Sequence, residues 1–186
     1  RKPRSLSLVG LGVNKEQMHN NRRFTAYVVN DVNASPYLPF RDSSFNSVVM
    51  TSGIAYVKNP FNLFREVNRI LAGRGIFVLA FGENSRQGKA VRVWRNTSFE
   101  EHIDLVKHYF AIGGFEEIKV DSERFGGLKI FSCFPMPSEM VAVIWAYTNA
   151  IPDQDTSASS PVEEPATVQK LRNNSPAYSF NARSHV

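Results

Sequence analysis

Cysteine is almost absent from this chain of 186 residues: Cys133 stands alone, which excludes a disulfide framework. A single cysteine inside the apolar run Ile130 to Phe134 reads as a small core residue. It suits a reducing compartment, the cytoplasm or an organelle stroma. No apolar run approaches the roughly 18 residues that would read as a membrane span, so no transmembrane segment is expected. The four histidines, His19, His102, His108 and His185, lack metal-ligand spacing, and no metal site is expected. His102 and His108 are six apart and do not share a helix face. There is no nucleophile-base pair, no pair of carboxylates at a useful spacing and no internal repeat. The chain opens on Arg1 rather than Met, which reads as a processed or partial N-terminus.

What is present is enough for one domain and a tail. Hydrophobic residues make up 42% of the chain, sufficient for a buried core. The net charge is +5, and residues 1–23 alone carry six basic side chains against Glu16. A basic end attracts nucleic acid or anionic membrane. No stacking aromatics or nucleic-acid motif accompanies it, so the reading is a solvated flank, with nucleic acid an unfavoured partner. From Pro152 onward Pro, Ser and acids replace apolar residues. Residues 152–186 are read as a disordered tail and residues 1–151 as the folded domain.

The pattern predicts strands over Ser5–Leu11, Arg23–Asn30, Ser47–Thr51, Ile76–Phe81, Glu117–Val120, Leu128–Phe134 and Met140–Tyr147. Helices are predicted between them. Asn14 with Gln17 three residues on is a capping pattern. Asn59-Pro60 is a helix start, with Leu63, Phe64, Val67, Ile70 and Leu71 at helical spacing and Gly73 as the stop. Thr97 or Ser98 caps a further helix, with Glu100 and Glu101 placed for the reciprocal bond and Gly113-Gly114 at its end. Strands alternating with helices give a Rossmann-like, doubly wound, mostly parallel sheet. No helix-length segment separates the last two strands, so they are expected to be antiparallel.

The segment from Asp31 to Gly75 resembles the middle of a class I S-adenosylmethionine-dependent methyltransferase, of the type 11-like kind. The likeness lies in Asp31 closing a strand, then Leu38-Pro39-Phe40, Asp42 and Phe45 before an apolar strand. Arg65-Glu66-Val67 and Arg69-Ile70-Leu71 follow on a Pro-started helix, with a glycine turn after it. The resemblance spans residues 8 to about 120. That family's glycine-rich first strand and loop have no counterpart, so the chain reads as the larger C-terminal part of such a domain. Binding of the cofactor by the chain as given is expected to be weak or absent.

The resemblance implies S-adenosylmethionine as cofactor, methyl transfer as the reaction and a small molecule as a candidate acceptor. Asp31 would accept from the adenine amine and the Val32 N–H would reach a ring nitrogen. Asp-Val-Asn is equally the chemistry of an Asx turn. Gly12 stands where the family has an acid gripping the ribose, and Asn14 two residues on is either a ribose contact or a helix cap. Thr51 and Ser52, followed by Gly53, would run past the methionine moiety. Arg86, Lys89, Arg92 and Arg95 would lie on the substrate side, as an anion-attracting or simply solvated loop. Glu66 and Arg69 are expected to form surface ion pairs of little energetic weight. The alternative is a non-catalytic, methyltransferase-like interaction module, which the missing first motif and Gly12 both suit.

Overall fold

A computed structural model describes residues 7–35, 37–83, 88–125 and 139–149. These fall into two units, residues 7–35 and 37–149, and each is described by itself. The strand expected over Leu128–Phe134, Cys133, Arg86, His185 and the tail from 152 lie outside the described residues.

In the first unit, β1 (Val9–Gly12) runs parallel to β2 (Ala26–Val29), in register from Val9↔Ala26 to Gly12↔Val29. The helix α1 (Lys15–Asn20) joins them, and Asn14 caps it by accepting from the Gln17 N–H at 3.0 Å. β2 is shorter than the predicted Arg23–Asn30, and β1 runs one residue past Leu11. Gly10 and Gly12 both lie inside β1.

The second unit is a four-stranded sheet in the order β3-β4-β6-β5: β3 (Phe45–Thr51), β4 (Leu71–Gly82), β5 (Phe115–Phe125) and β6 (Glu139–Thr148). β3 and β4 are parallel; β6 lies antiparallel to both β4 and β5. The α/β class read from the sequence is therefore the class observed, with parallel pairs first and antiparallel strands at the C-terminal end. Among the described residues β1 pairs only with β2 and β3 only with β4, so each keeps one unpaired edge. Val49 in β3 is 67% exposed, although its apolar run suits a strand covered on both faces.

Alternation along β4 builds the core. Phe77, Leu79 and Phe81 point to one face and are buried, set against Ala146, Ile144 and Ala142 of β6. Phe77 and Phe81 thus oppose alanines across the ladder, with Leu79 against Ile144 between them. The helices α2 (Pro60–Ile70) and α4 (Phe99–Ile112) contribute Phe64, Val106 and Phe110 to the core. Phe64, Phe77, Phe110 and Phe115 form a ring cluster with centroids 5.0–5.7 Å apart, within the favourable aromatic range.

Helix starts follow the sequence signals. Asn59 caps α2, with Pro60 at its first position. Ser98 and Glu101 form a full capping box on α4: the Glu101 N–H donates to Ser98 Oγ and the Ser98 N–H to Glu101 Oε2. Ser98→Ala is expected to lower the midpoint of thermal unfolding by a loss of about 1 kcal/mol, while Thr97→Ala should cost less. Equal effects would show that the box contributes nothing specific.

The end of α2 differs from expectation. The helix stops at Ile70, not at Gly73, and Leu71 already pairs with Phe45 in the sheet. Three extra residues then separate this pair from Ser47↔Ile76, which makes Ala72–Gly75 a bulge. Thr148 pins it, donating to Ala72 O at 2.7 Å and accepting from the Gly75 N–H at 3.0 Å. Gly75 is needed there, because a Cβ would stand 2.8 Å from Ala72 O. The short helix α3 (Arg92–Arg95) had no sequence signal beyond Val-Arg-Val-Trp.

Candidate functional site

Ligands of open α/β sheets bind beyond the carboxyl ends of the parallel strands. In the first unit that end gathers Gly12, Asn14, Asp31 and Val32. The Asn30 N–H donates to Gly12 O at 3.0 Å, carrying the β1–β2 ladder one step past Val29. Asp31 is exposed and Val32 half-buried immediately beyond it. One Asp31 carboxylate oxygen accepts from the Asn33 N–H at 2.8 Å, and Asp31 O accepts from Ala34 N–H at 3.0 Å. Asp31 therefore does form the Asx turn, and its second carboxylate oxygen has further acceptor capacity. Asn14 Oδ1 serves the helix cap.

Sequence reasoning passed over Asn30. Its side chain is buried, and Nδ2 has no hydrogen-bond partner among the described residues. A buried amide donor without a partner is uncommon in a folded protein, and this one stands at the carboxyl end of a parallel pair. An amide between a β-branched run and an acid was the available signal, and it reads equally as turn chemistry.

In the second unit, Thr51 ends β3 and Ser52 follows it, both exposed. Ser52 has φ 54°, a left-handed backbone uncommon outside glycine, and its N–H donates to Ala80 O at 2.8 Å. Backbone held in this region concentrates at binding sites, and here it stands just past a parallel strand. Of the expected basic group, Lys89, Arg92 and Arg95 are exposed.

The residues that carry the family likeness have a different task. Arg69 donates from Nε and Nη2 to the two oxygens of Glu66, at 2.8 and 2.7 Å. It also donates to Phe40 O, to Asp42 Oδ1 and to Leu38 O, at 2.9, 2.6 and 3.1 Å. The Leu38 N–H closes the network on Glu66 at 2.7 Å. Phe40 packs edge-on against Phe45, centroids 4.9 Å apart. Leu38, Phe40 and Asp42 are thus anchoring positions that tie their loop to α2. Glu66 is only 8% exposed, which overturns the expectation of a surface pair of little weight. The Arg69 side chain holds the Glu66 carboxyl below its ordinary pKa against the opposing effect of burial, and the Leu38 N–H adds to the lowering. Arg69 in turn is raised, mainly by Glu66.

Among the described residues no group of three or more His, Cys, Asp or Glu is arranged to hold a metal, and no helix is long and apolar enough to cross a membrane.

Residues 5–79 match the family model described as a methyltransferase domain. No curated protein matches the sequence. Solved structures do. A SAM-dependent methyltransferase of Thermotoga maritima, described as a possible histamine N-methyltransferase, is similar at 20% identity. It aligns over 76% of this chain and 73% of its own, with TM-score 0.53. A SAM-dependent methyltransferase of Methanosarcina mazei aligns at 18% identity over 78% and 83%, also with TM-score 0.53. Phosphoethanolamine N-methyltransferase 2 of Haemonchus contortus, in complex with phosphomonomethylethanolamine and S-adenosylhomocysteine, aligns at 17% identity. There the match covers 77% of this chain and 44% of the other, with TM-score 0.50. At these identities the likeness is one of fold.

Proposed function

We propose, from the match of residues 5–79 to the methyltransferase domain model, that the protein moves a methyl group from S-adenosylmethionine to a small-molecule acceptor. The observation that carries the reading is the set Gly12, Asn14, Asp31 and Val32 at the carboxyl ends of β1 and β2, all within the matched segment. The unpaired Nδ2 of Asn30 supports it.

In this reading Asp31 accepts from the adenine amine with the carboxylate capacity left by its turn, and the Val32 N–H meets a ring nitrogen. Gly12 and Asn14 border the ribose. The cofactor supplies a methyl group on a sulfonium, which an acceptor displaces in line. The task of the chain is alignment and exclusion of water, so no general base is required of it. The small-molecule acceptor follows the neighbours, one described as a possible histamine N-methyltransferase and one holding phosphomonomethylethanolamine. Residues 1–151 are the domain that does this, and residues 152–186 a tail outside it.

In this reading the residues named hold the adenosine half of the cofactor. Calorimetric titration tests this. S-adenosylhomocysteine and adenosine should bind weakly and with affinities within about tenfold of each other, a difference of ~1.4 kcal/mol. Asp31→Ala should weaken both by at least about tenfold, the scale of one hydrogen bond to a charged group. Absence of saturable binding by the unmodified chain would overturn the cofactor reading.

A specific observation also favours the non-catalytic module. Asn14 and Asp31 are already used by a cap and a turn. That reading takes the lead if the titration gives no binding while the chain remains folded.

A further inference from the structure

An open groove of about 490 Å³ lies at the amino end of β4, between the last turns of α2, the end of α4 and the end of β6. That volume falls within the roughly 300–1,000 Å³ of small-molecule sites. Thr51 and Ser52 stand at the other, carboxyl end of the parallel pair, and the groove shares no residue with the cofactor set. Its floor is backbone, Leu71 to Gly73 on one side and Gly113-Gly114 on the other. Among the described residues no aromatic ring lines it, which argues against a flat or apolar ligand.

The frame is fixed and strained. Ser43 on its rim has φ 53°, Gly114 has φ 81°, and Arg74 in the adjoining bulge has φ 55°. Residues held in left-handed backbone gather at ligand clamps. Gly113 keeps the floor open, because a Cβ there would stand 2.9 Å from Phe64 Cβ.

The charges decide what the groove takes. Arg69 spends all five of its N–H groups on Glu66, Asp42, Phe40 O and Leu38 O, so it has no donor left for a ligand. Arg65 lies one turn earlier on the same face of α2. It is exposed, lines the groove, and has no ion pair or hydrogen bond among the described residues. It is therefore the cation with a free fork. At the other end, two carboxylates share the one Arg69 guanidinium, which leaves an excess of negative charge. Asp42 is 77% exposed and holds Arg69 through Oδ1 alone, so Oδ2 can accept again. Asn68 Nδ2 donates to Gly114 O at 2.9 Å, which turns Oδ1 of that amide into a second acceptor for a ligand. The C-terminal ends of α2 and α4 meet here too, and the negative end of a helix dipole favours a cation. One groove thus offers a place for an anion at Arg65 and for a cation near Asp42.

We propose that this groove binds a small zwitterion, a free amino acid with a polar side chain, its carboxylate on the Arg65 guanidinium and its ammonium on Asp42 and Asn68 Oδ1. Ser43 and Asn149 line the remainder and suit a polar side chain. The site needs no cofactor, so its failure leaves the methyl-transfer reading standing, and the reverse holds too.

The test uses the full chain labelled with ¹⁵N, with L-glutamine as the probe. The amide resonances of Gly73 and Gly114, on the floor, should move saturably. N-acetyl-L-glutamine, which lacks the ammonium, and L-glutaminamide, which lacks the carboxylate, should each bind about tenfold more weakly, the loss of one charge-assisted contact. Arg65→Gln and Asp42→Asn should each weaken L-glutamine by a similar factor. Both side chains are exposed, and asparagine keeps the acceptor that Arg69 uses. The two blocked ligands probe the same contacts on the unmodified chain, so the test does not depend on either variant folding. Floor amides that stay put, an equal response to either blocked ligand, or undiminished binding by either folded variant would each overturn the proposal.

Discussion

Arg69→Ala should lower the stability of the protein by about 3 kcal/mol at neutral pH, the low end for breaking a buried ion pair. The low end applies because the Arg69 side chain is 30% exposed while that of Glu66 is 11% exposed. Alanine removes five hydrogen bonds at once and leaves Glu66 buried with, among the described residues, only the Leu38 N–H as partner. The pair with Asp42, 77% exposed, adds little. The sign with pH is a sharper check. In the unmodified protein the Glu66 carboxyl lies below its ordinary 4.5. Its contribution to stability is therefore full above the unfolded value and lost as pH falls through the folded one. In the alanine variant the burial remains but the cation does not, so the carboxyl moves up and its protonation relieves strain. The stability gap between the two proteins should narrow from pH 7 to pH 3 in urea unfolding. A gap unchanged with pH would mean that Arg69 acts by packing alone.

Phe77→Ala should cost more, about 4 kcal/mol, within the range for emptying an aromatic site in a core. Phe77 is fully buried on β4 and touches Phe64, Phe110 and Phe115, which come from both core helices and from β5. Ala146 lies opposite it on β6 and cannot grow into the gap. A loss of this size is a large part of the 5–15 kcal/mol that holds a typical domain. Phe77→Leu, which keeps most of the volume, should cost distinctly less. Chemical unfolding of both variants checks this, and a Phe77→Ala protein within 1 kcal/mol of the parent, against the ~4 expected, would show that the ring cluster does not pack as one core.

The helix starts were legible because a cap is a local interaction. Asn14 with Gln17, Asn59 with Asn62 and Ser98 with Glu101 are each three residues apart, so sequence spacing is spatial spacing. The same holds for the alternation Phe77, Leu79, Phe81, which sets the buried face of β4 whatever lies beyond it. The end of α2 was not legible. Leu71 continues the helical period, yet it is drawn into the sheet by Phe45, and the bulge behind it depends on Thr148, more than 70 residues away in sequence. Of the candidate cofactor residues, the position of each at a strand end was readable; the turn that Asp31 makes and the left-handed backbone of Ser52 became visible only in the fold.

The sequence by itself determined the α/β class, the caps, the apolar faces and the family likeness, because each rests on neighbours within a few residues. The tertiary structure alone decided what Glu66 and Arg69 do, since the partners of Arg69 at Leu38, Phe40 and Asp42 are 27 to 31 residues away. It alone set His102 flat on Trp94 and left Nδ1 buried without a partner among the described residues. Burial and pairing at long separation turn an ordinary charged or polar residue into an anchor or a binding group, and no local pattern encodes that difference.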